Sequence, residues 1–232
     1  MFEDLKKEVK ELSDKKKAIL LQGYFKTGVG QYGEGDIFAG LTVPQSRSIA
    51  IKYKTLPFEE IQELLKSKIH EERLIALLIL VHNFKRNPKE QKQIYNFYLK
   101  NTKYINNWDL VDLSSHEIVG GYLLERPKDI LINLAKNKSI WDKRIAIIST
   151  FEFIRNKQFE ASLRIAEMLI TEKEDLIQKA VGWMLREIGK RDLKTEEDFL
   201  KNHYKKMGRT ALRYSVEKFP EKIRQKYLKG LI

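Results

Sequence analysis

Apolar residues recur at helical spacing along almost the whole chain, and nothing constrains the fold more. HEERLIALLILVHNFK (70–85) sets Leu74, Leu77, Leu78 and Val81 three and four residues apart, which makes one apolar stripe of a helix. WDKRIAIISTFEFIR (141–155) repeats the spacing with Ile145, Ile148, Phe151 and Ile154, and LIQKAVGWMLREIGK (176–190) with Ile177, Val181, Met184 and Ile188. Strong helices start near His70, Trp108, Trp141, Glu174 and Gly208, a period of 33–38 residues. Weaker amphipathic helices fall between them: PKEQKQIYNFYLK, RPKDILINLAKN, FEASLRIAEMLI and TEEDFLKNHYKK. No alternating strand pattern and no Asn-Gly hairpin competes. The alternation predicts an all-α, HEAT/armadillo-like solenoid of stacked helical hairpins whose inner helices line a concave face. A plain helical bundle is the alternative. A length of 232 residues suits a single domain spanning residues 1–232.

One segment interrupts the pattern. GYFKTGVGQYGEGDIFAG (23–40) is rich in glycine and reads as a loop. It contains GVGQYG, a literal GxGxxG. That motif cradles a dinucleotide only where it follows a strand and opens a helix, and neither condition holds here. VPQSRSIAIKY restarts the helix, with Pro44 in its first turn.

Charge narrows the partners. Lys and Arg exceed Asp and Glu by 44 − 32 = +12. Such a surplus favours a polyanion, either nucleic acid or an acidic membrane, and also suits a lysine-rich surface kept for solubility. Residues 201–232 carry ten Lys or Arg and two acids, a net of 10 − 2 = +8, so the last hairpin is an electrostatic end of the molecule. There is no cysteine, which excludes disulfides, thiolate metal sites and cysteine nucleophiles. The N-terminus lacks the apolar core of a signal peptide, and no apolar run approaches the roughly 18 residues of a membrane span. A cytoplasmic protein is expected, nucleoid-associated in a prokaryote.

The stretch NNWDLVDLSSHEIVG (106–120) concentrates the chemistry. Asn106 or Asn107 is a good N-cap, and Asp109 in the first turn suits the helix dipole and free N–H groups. Asp112 lies a turn further in. Trp108, Asp112, Ser115 and Val119 follow i, i+4, i+7, i+11 and are expected to share one stripe, while Val111, Ile118 and Tyr122 form the adjacent core-facing one. A carboxylate in a basic groove repels phosphates. Asp112 therefore either pairs with a neighbour such as Arg144 or His116, or it serves catalysis by stabilising positive charge or positioning water. Asp112 and His116 could begin a metal site, but no third ligand is evident and no metal is expected. Trp183, with Lys179 and Arg186, makes a basic and aromatic stripe. At that spacing a Trp is ordinarily core, whereas in a groove it would contact nucleic acid.

Taken in order, NNWDLVD, WDKRIAI, QKAVGWMLREIGKRD and RTALRYSVEKFP, with YFK and the VPQSR helix start, resemble the AlkD family of HEAT-like-repeat DNA glycosylases. The similarity runs from about Tyr24 to Phe219. It implies a concave, basic face gripping duplex DNA, and excision of cationic N3- and N7-alkylated purines without metal or cofactor. By motif, Asp112 matches the catalytic carboxylate, and Trp108 and Trp183 match the aromatic pair at the lesion's backbone. Arg144 matches an arginine near the phosphate. Tyr24 and Thr42 match positions beside the duplex, and Arg47, Lys179 and Arg186 join them as DNA-binding candidates. The partner implied is double-stranded DNA with alkylated bases; no protein partner is required and a monomer is expected. The chain departs from the family pattern at Asn107, where the family carries a second Trp, and in the longer GVGQYGEGD connection. The alternative is a non-catalytic HEAT-repeat binder of DNA or branched nucleic acid.

Overall fold

The computed structural model describes every residue from Met1 to Ile232. The protein is all-α, and its only extended pairing is an isolated parallel bridge between Ile37 and Ile69. Two compact units divide the chain, Met1–Ile118 and Val119–Ile232.

The first unit contains α1 (Phe2–Glu11), α2 (Lys15–Tyr24), α3 (Val43–Lys52), α4 (Phe58–Leu65), α5 (His70–Arg86), α6 (Gln91–Lys100) and α7 (Trp108–Asp112). Helix α5 is its axis. Leu74 to Leu80 are apolar on every side, and a helix of that kind must be surrounded. All seven residues are buried, and α3, α4, α6 and α7 pack around them.

The glycine-rich segment is folded onto the head of α5. The buried Glu71 carboxylate accepts the N–H groups of Ala39 and Gly40 at 2.8 Å and of Leu41 at 3.1 Å. Three otherwise unmet donors are thus satisfied by one acid. Gly40 is required: its φ is +91°, and a Cβ there would sit 2.2 Å from the Asp14 carbonyl oxygen. Thr42 then opens α3 with a capping box to Gln45, and Pro44 occupies the first turn.

The second unit contains α8 (Gly121–Leu123), α9 (Asp129–Lys136), α10 (Ile140–Arg155), α11 (Glu160–Leu169), α12 (Asp175–Gly189), α13 (Leu193–His203), α14 (Arg209–Ser215) and α15 (Glu221–Lys229). Helices α9 and α11 pack on α10, while α11, α13 and α14 pack on α12, which gives the expected stack of helical hairpins. Ile177, Val181, Met184 and Ile188 all turn into this core. Gly182 lets α14 approach closely, since a Cβ there would lie 2.4 Å from the Ala211 carbonyl oxygen. The strong helices begin at His70, Trp108, Ile140, Asp175 and Arg209, each within one residue of its expected start. No helix is long and apolar enough to cross a membrane.

One expectation about register fails. After α7 the chain turns at Leu113 and Ser114, then becomes π-helical over His116–Gly120. The i, i+7, i+11 geometry of a straight α-helix is lost across that break. Ser115 and Val119 are fully buried and do not share the face of Trp108 and Asp112; Tyr122 is half-buried.

Candidate functional site

Helix α7 is five residues long, and its position comes from its anchors. Asn107 is fully buried and caps the helix, its Oδ1 accepting the Trp108 N–H at 2.8 Å. Its Nδ2 donates to Asp36 Oδ2 at 3.0 Å. Asp109 accepts the Leu110 N–H on Oδ1, as its first-turn position predicts, and its Oδ2 meets His70 Nε2 at 2.8 Å. Leu110 and Val111 are fully buried. With that face committed to the core, Trp108 and Asp112 stand half-buried, one turn apart.

The Trp108 indole is held from the N-terminal side. Phe25 stacks on it at 4.9 Å with the planes 6° apart, and the Tyr24 ring meets its edge at 6.0 Å. Tyr24 is exposed. Tyr24 and Trp108, far apart in sequence, therefore share one surface of the first unit. Thr42 and Arg47 are exposed at the start of α3.

The second unit carries the other candidates. Arg144 is buried on α10, and its guanidinium donates to the Leu176 carbonyl at the start of α12. Trp183 is half-buried, with its ring 6.0 Å from that of Phe151, so it is not a core residue despite its spacing. Lys179 pairs with Asp175 at 2.6 Å, and Arg186 is paired with Glu217.

The family model of the DNA alkylation repair enzymes matches residues 5–219. The chain belongs to that family. A solved structure described as a predicted DNA alkylation repair enzyme from Enterococcus faecalis has a similar fold, with a TM-score of 0.69 at 18% identity over 90% of this chain and 97% of that one. No match was found among curated proteins.

A second layer lies beneath α7 that the sequence motifs do not reveal. Asp36, His70, Arg73 and Asp109 form one buried network, with Arg73 Nη2 donating to Asp36 Oδ1 at 2.6 Å. Burial opposes ionisation of Asp36, but hydrogen bonds from His70, the Arg73 charge and Asn107 hold its carboxyl below the usual range. A signal was present in the sequence. HEER heads a helix that is apolar all round, so its four charged or titratable residues had to be buried with it and therefore needed partners.

Proposed function

We propose that the protein is a DNA glycosylase that releases cationic alkylated purines, 3-methyladenine and 7-methylguanine, from duplex DNA without metal or cofactor and without flipping the base. The lesion itself makes this possible. Alkylation at N3 or N7 gives the purine a positive charge, so the base is already a good leaving group. When the bond from C1′ to N9 breaks, its electron pair neutralises the base and leaves an oxocarbenium-like sugar. The Asp112 carboxylate stabilises that cation and orients a water, which adds its oxygen to C1′ and gives up a proton. Trp108 and Trp183 hold the lesion's backbone, and Arg144 serves the adjacent phosphate. Tyr24, Thr42, Arg47, Lys179 and Arg186 contact the duplex.

The observation that carries the reading is Asp112 itself. It is a half-buried acid at the C-terminal end of α7, one turn from an indole, in a family member of net charge +12. The negative end of the helix dipole and any approaching phosphate both disfavour a carboxylate there. A cation developing at C1′ is the charge that a carboxylate held there favours, whichever protein groups hold it beforehand.

The test is single-turnover release of 7-methylguanine from methylated duplex DNA. Asp112→Asn is expected to slow release about 100-fold or more while duplex binding is kept or tightened. Release by the variant at the wild-type rate would reject the role of Asp112. A wild type that binds duplex and releases nothing would instead be the non-catalytic binder.

A further inference from the structure

His70 is the first residue of α5, and its ring is almost wholly buried. Nδ1 lies 3.0 Å from Asp36 Oδ2, and Nε2 lies 2.8 Å from Asp109 Oδ2. A neutral imidazole has one N–H, so one of these contacts would set a ring lone pair against a carboxylate oxygen. The imidazolium donates to both.

Charge balance gives the same answer. Asp36 and Asp109 contribute two negative charges and Arg73 one positive. The cluster is neutral with His70 protonated and carries −1 without it, and an unmatched charge in a site this dry is costly.

The surroundings of the ring can be named from each element. On α5, Arg73 Nη2 is 3.4 Å from Nδ1 and opposes the charge, while Glu71 is turned to the amides of residues 39–41. From the glycine-rich segment, Phe38 stacks on the ring at 4.4 Å and Phe25 lies at 5.1 Å, two aromatic faces that accept a cation. From α7 comes Asp109. Burial disfavours the charged ring, but the hydrogen bonds to Asp109 and Asp36 outweigh it and lift His70 above its ordinary value of 6.5.

This cluster grips α7 on both sides of Trp108. Asn107 precedes the indole and is tied to Asp36, and Asp109 follows it and is tied to His70. Phe25 lies between the imidazole and the indole, in contact with both. We propose that His70, as an imidazolium bridging Asp36 and Asp109, is the positioning residue that holds Trp108 and Asp112 in working orientation. Base release then depends on its proton. The inference rests on the glycosylase reading above.

The direction with pH follows. The folded value is raised, so the bridge is complete below about 6.5 and is lost as pH rises through the higher folded value. Loss of one ring N–H takes the imidazole donor from either Asp109 or Asp36. Asp109 belongs to α7 and Asp36 holds Asn107 at its head, so either loss loosens α7 and slows the chemical step while phosphate contacts persist.

The experiment compares wild type, His70→Gln and Asp112→Asn in single-turnover 7-methylguanine release from about pH 6 to pH 10, with duplex affinity measured alongside. Long-range proton–nitrogen NMR of wild-type histidine side chains accompanies it. The expected wild-type profile has an alkaline limb above 6.5 whose midpoint coincides with loss of the second ring N–H of one buried histidine. His70→Gln is expected to be about tenfold slower at neutral pH, to lack that limb, and to bind duplex as wild type does. A wild-type rate that stays flat through the imidazole titration overturns the proposal. So does a His70→Gln enzyme with wild-type rate and limb. If His70→Gln does not fold, coincidence of the two wild-type midpoints supports the proposal and their separation overturns it. Inert Asp112→Asn beside a flat wild-type profile rejects the His70 role alone, whereas absence of base release by wild type at every pH removes the glycosylase reading beneath it.

Discussion

His70 and Glu196 are both buried, yet His70 is pushed towards its charged form and Glu196 towards its neutral one, and the difference lies in their partners. His70 has a carboxylate at each ring nitrogen. Glu196, in α13, has a buried Oε1 with no hydrogen-bond partner, and burial pushes its carboxyl up to about 9 against the pull of the Arg186 charge. The folded protein therefore keeps this proton where the unfolded chain, ionising near 4.5, has released it. Folding takes up a proton between those values, so stability falls as pH rises through them, by at most about 1.4 kcal/mol per unit. Glu196→Gln removes the penalty without changing the shape of the side chain. Its melting temperature is expected to exceed wild type by about 5 °C or more near pH 8 and to match it near pH 4.5. Equal melting curves at both pH values would show that the carboxyl reaches solvent or a partner when ionised.

At the scale of elements, what could be read in advance was whatever depends on local spacing. The stripe of α12 specifies both helix and buried face. Those of α5 and α10 specify the helix, but Val81 and Phe151 stand half-buried while residues outside each stripe are buried as well, because both helices are enclosed on every side. The cap at Asn106 or Asn107 and the first-turn Pro44 are equally local. What escaped was non-local. The π-helical turn at His116–Gly120 has no marker in its own residues, so nothing in the spacing shows that the stripe through Ser115 and Val119 is broken. The position of Trp183 was likewise undecidable from spacing, because a half-exposed ring and a core ring have the same period. Asp36 and Asp109 meet at His70 only because the glycine-rich segment folds back on α5. Close helix contact makes its own prediction at Gly182. Alanine is the better helix former by about 1 kcal/mol. An added Cβ, however, would lie 2.4 Å from the Ala211 carbonyl oxygen and 2.5 Å from Tyr214 Cβ, and neither backbone nor Cβ can yield without moving α14. The clash decides the sign. Gly182→Ala is expected to lose about 1–3 kcal/mol in urea unfolding, and a stabilised variant would mean that α14 shifts freely on α12.

For the whole molecule, the surplus of charge should be visible as salt dependence. The net is +12, and residues 201–232 supply 10 − 2 = +8 of it. Part of that end is already matched: Lys218 pairs with Glu217 at 3.0 Å, Arg224 with Glu221 at 2.8 Å, and Lys201 lies 3.6 Å from Asp198. Lys205, Lys206 and Arg213 are exposed. Each phosphate neutralised by a cation releases counterions and adds about 0.9 to the slope of log affinity against log salt. Duplex binding should therefore weaken linearly on that plot, and the triple variant Lys205→Gln, Lys206→Gln, Arg213→Gln should lower the slope by up to about 3. Arg186→Gln should change it little, because a phosphate there would only exchange with Glu217. Asp112→Asn removes a repulsion without adding a cation, so any rise in its affinity comes at unchanged slope. If the triple variant keeps the full wild-type slope, the basic C-terminal end serves solubility, and the cations that meet DNA lie elsewhere, with the exposed Arg47 the first to test.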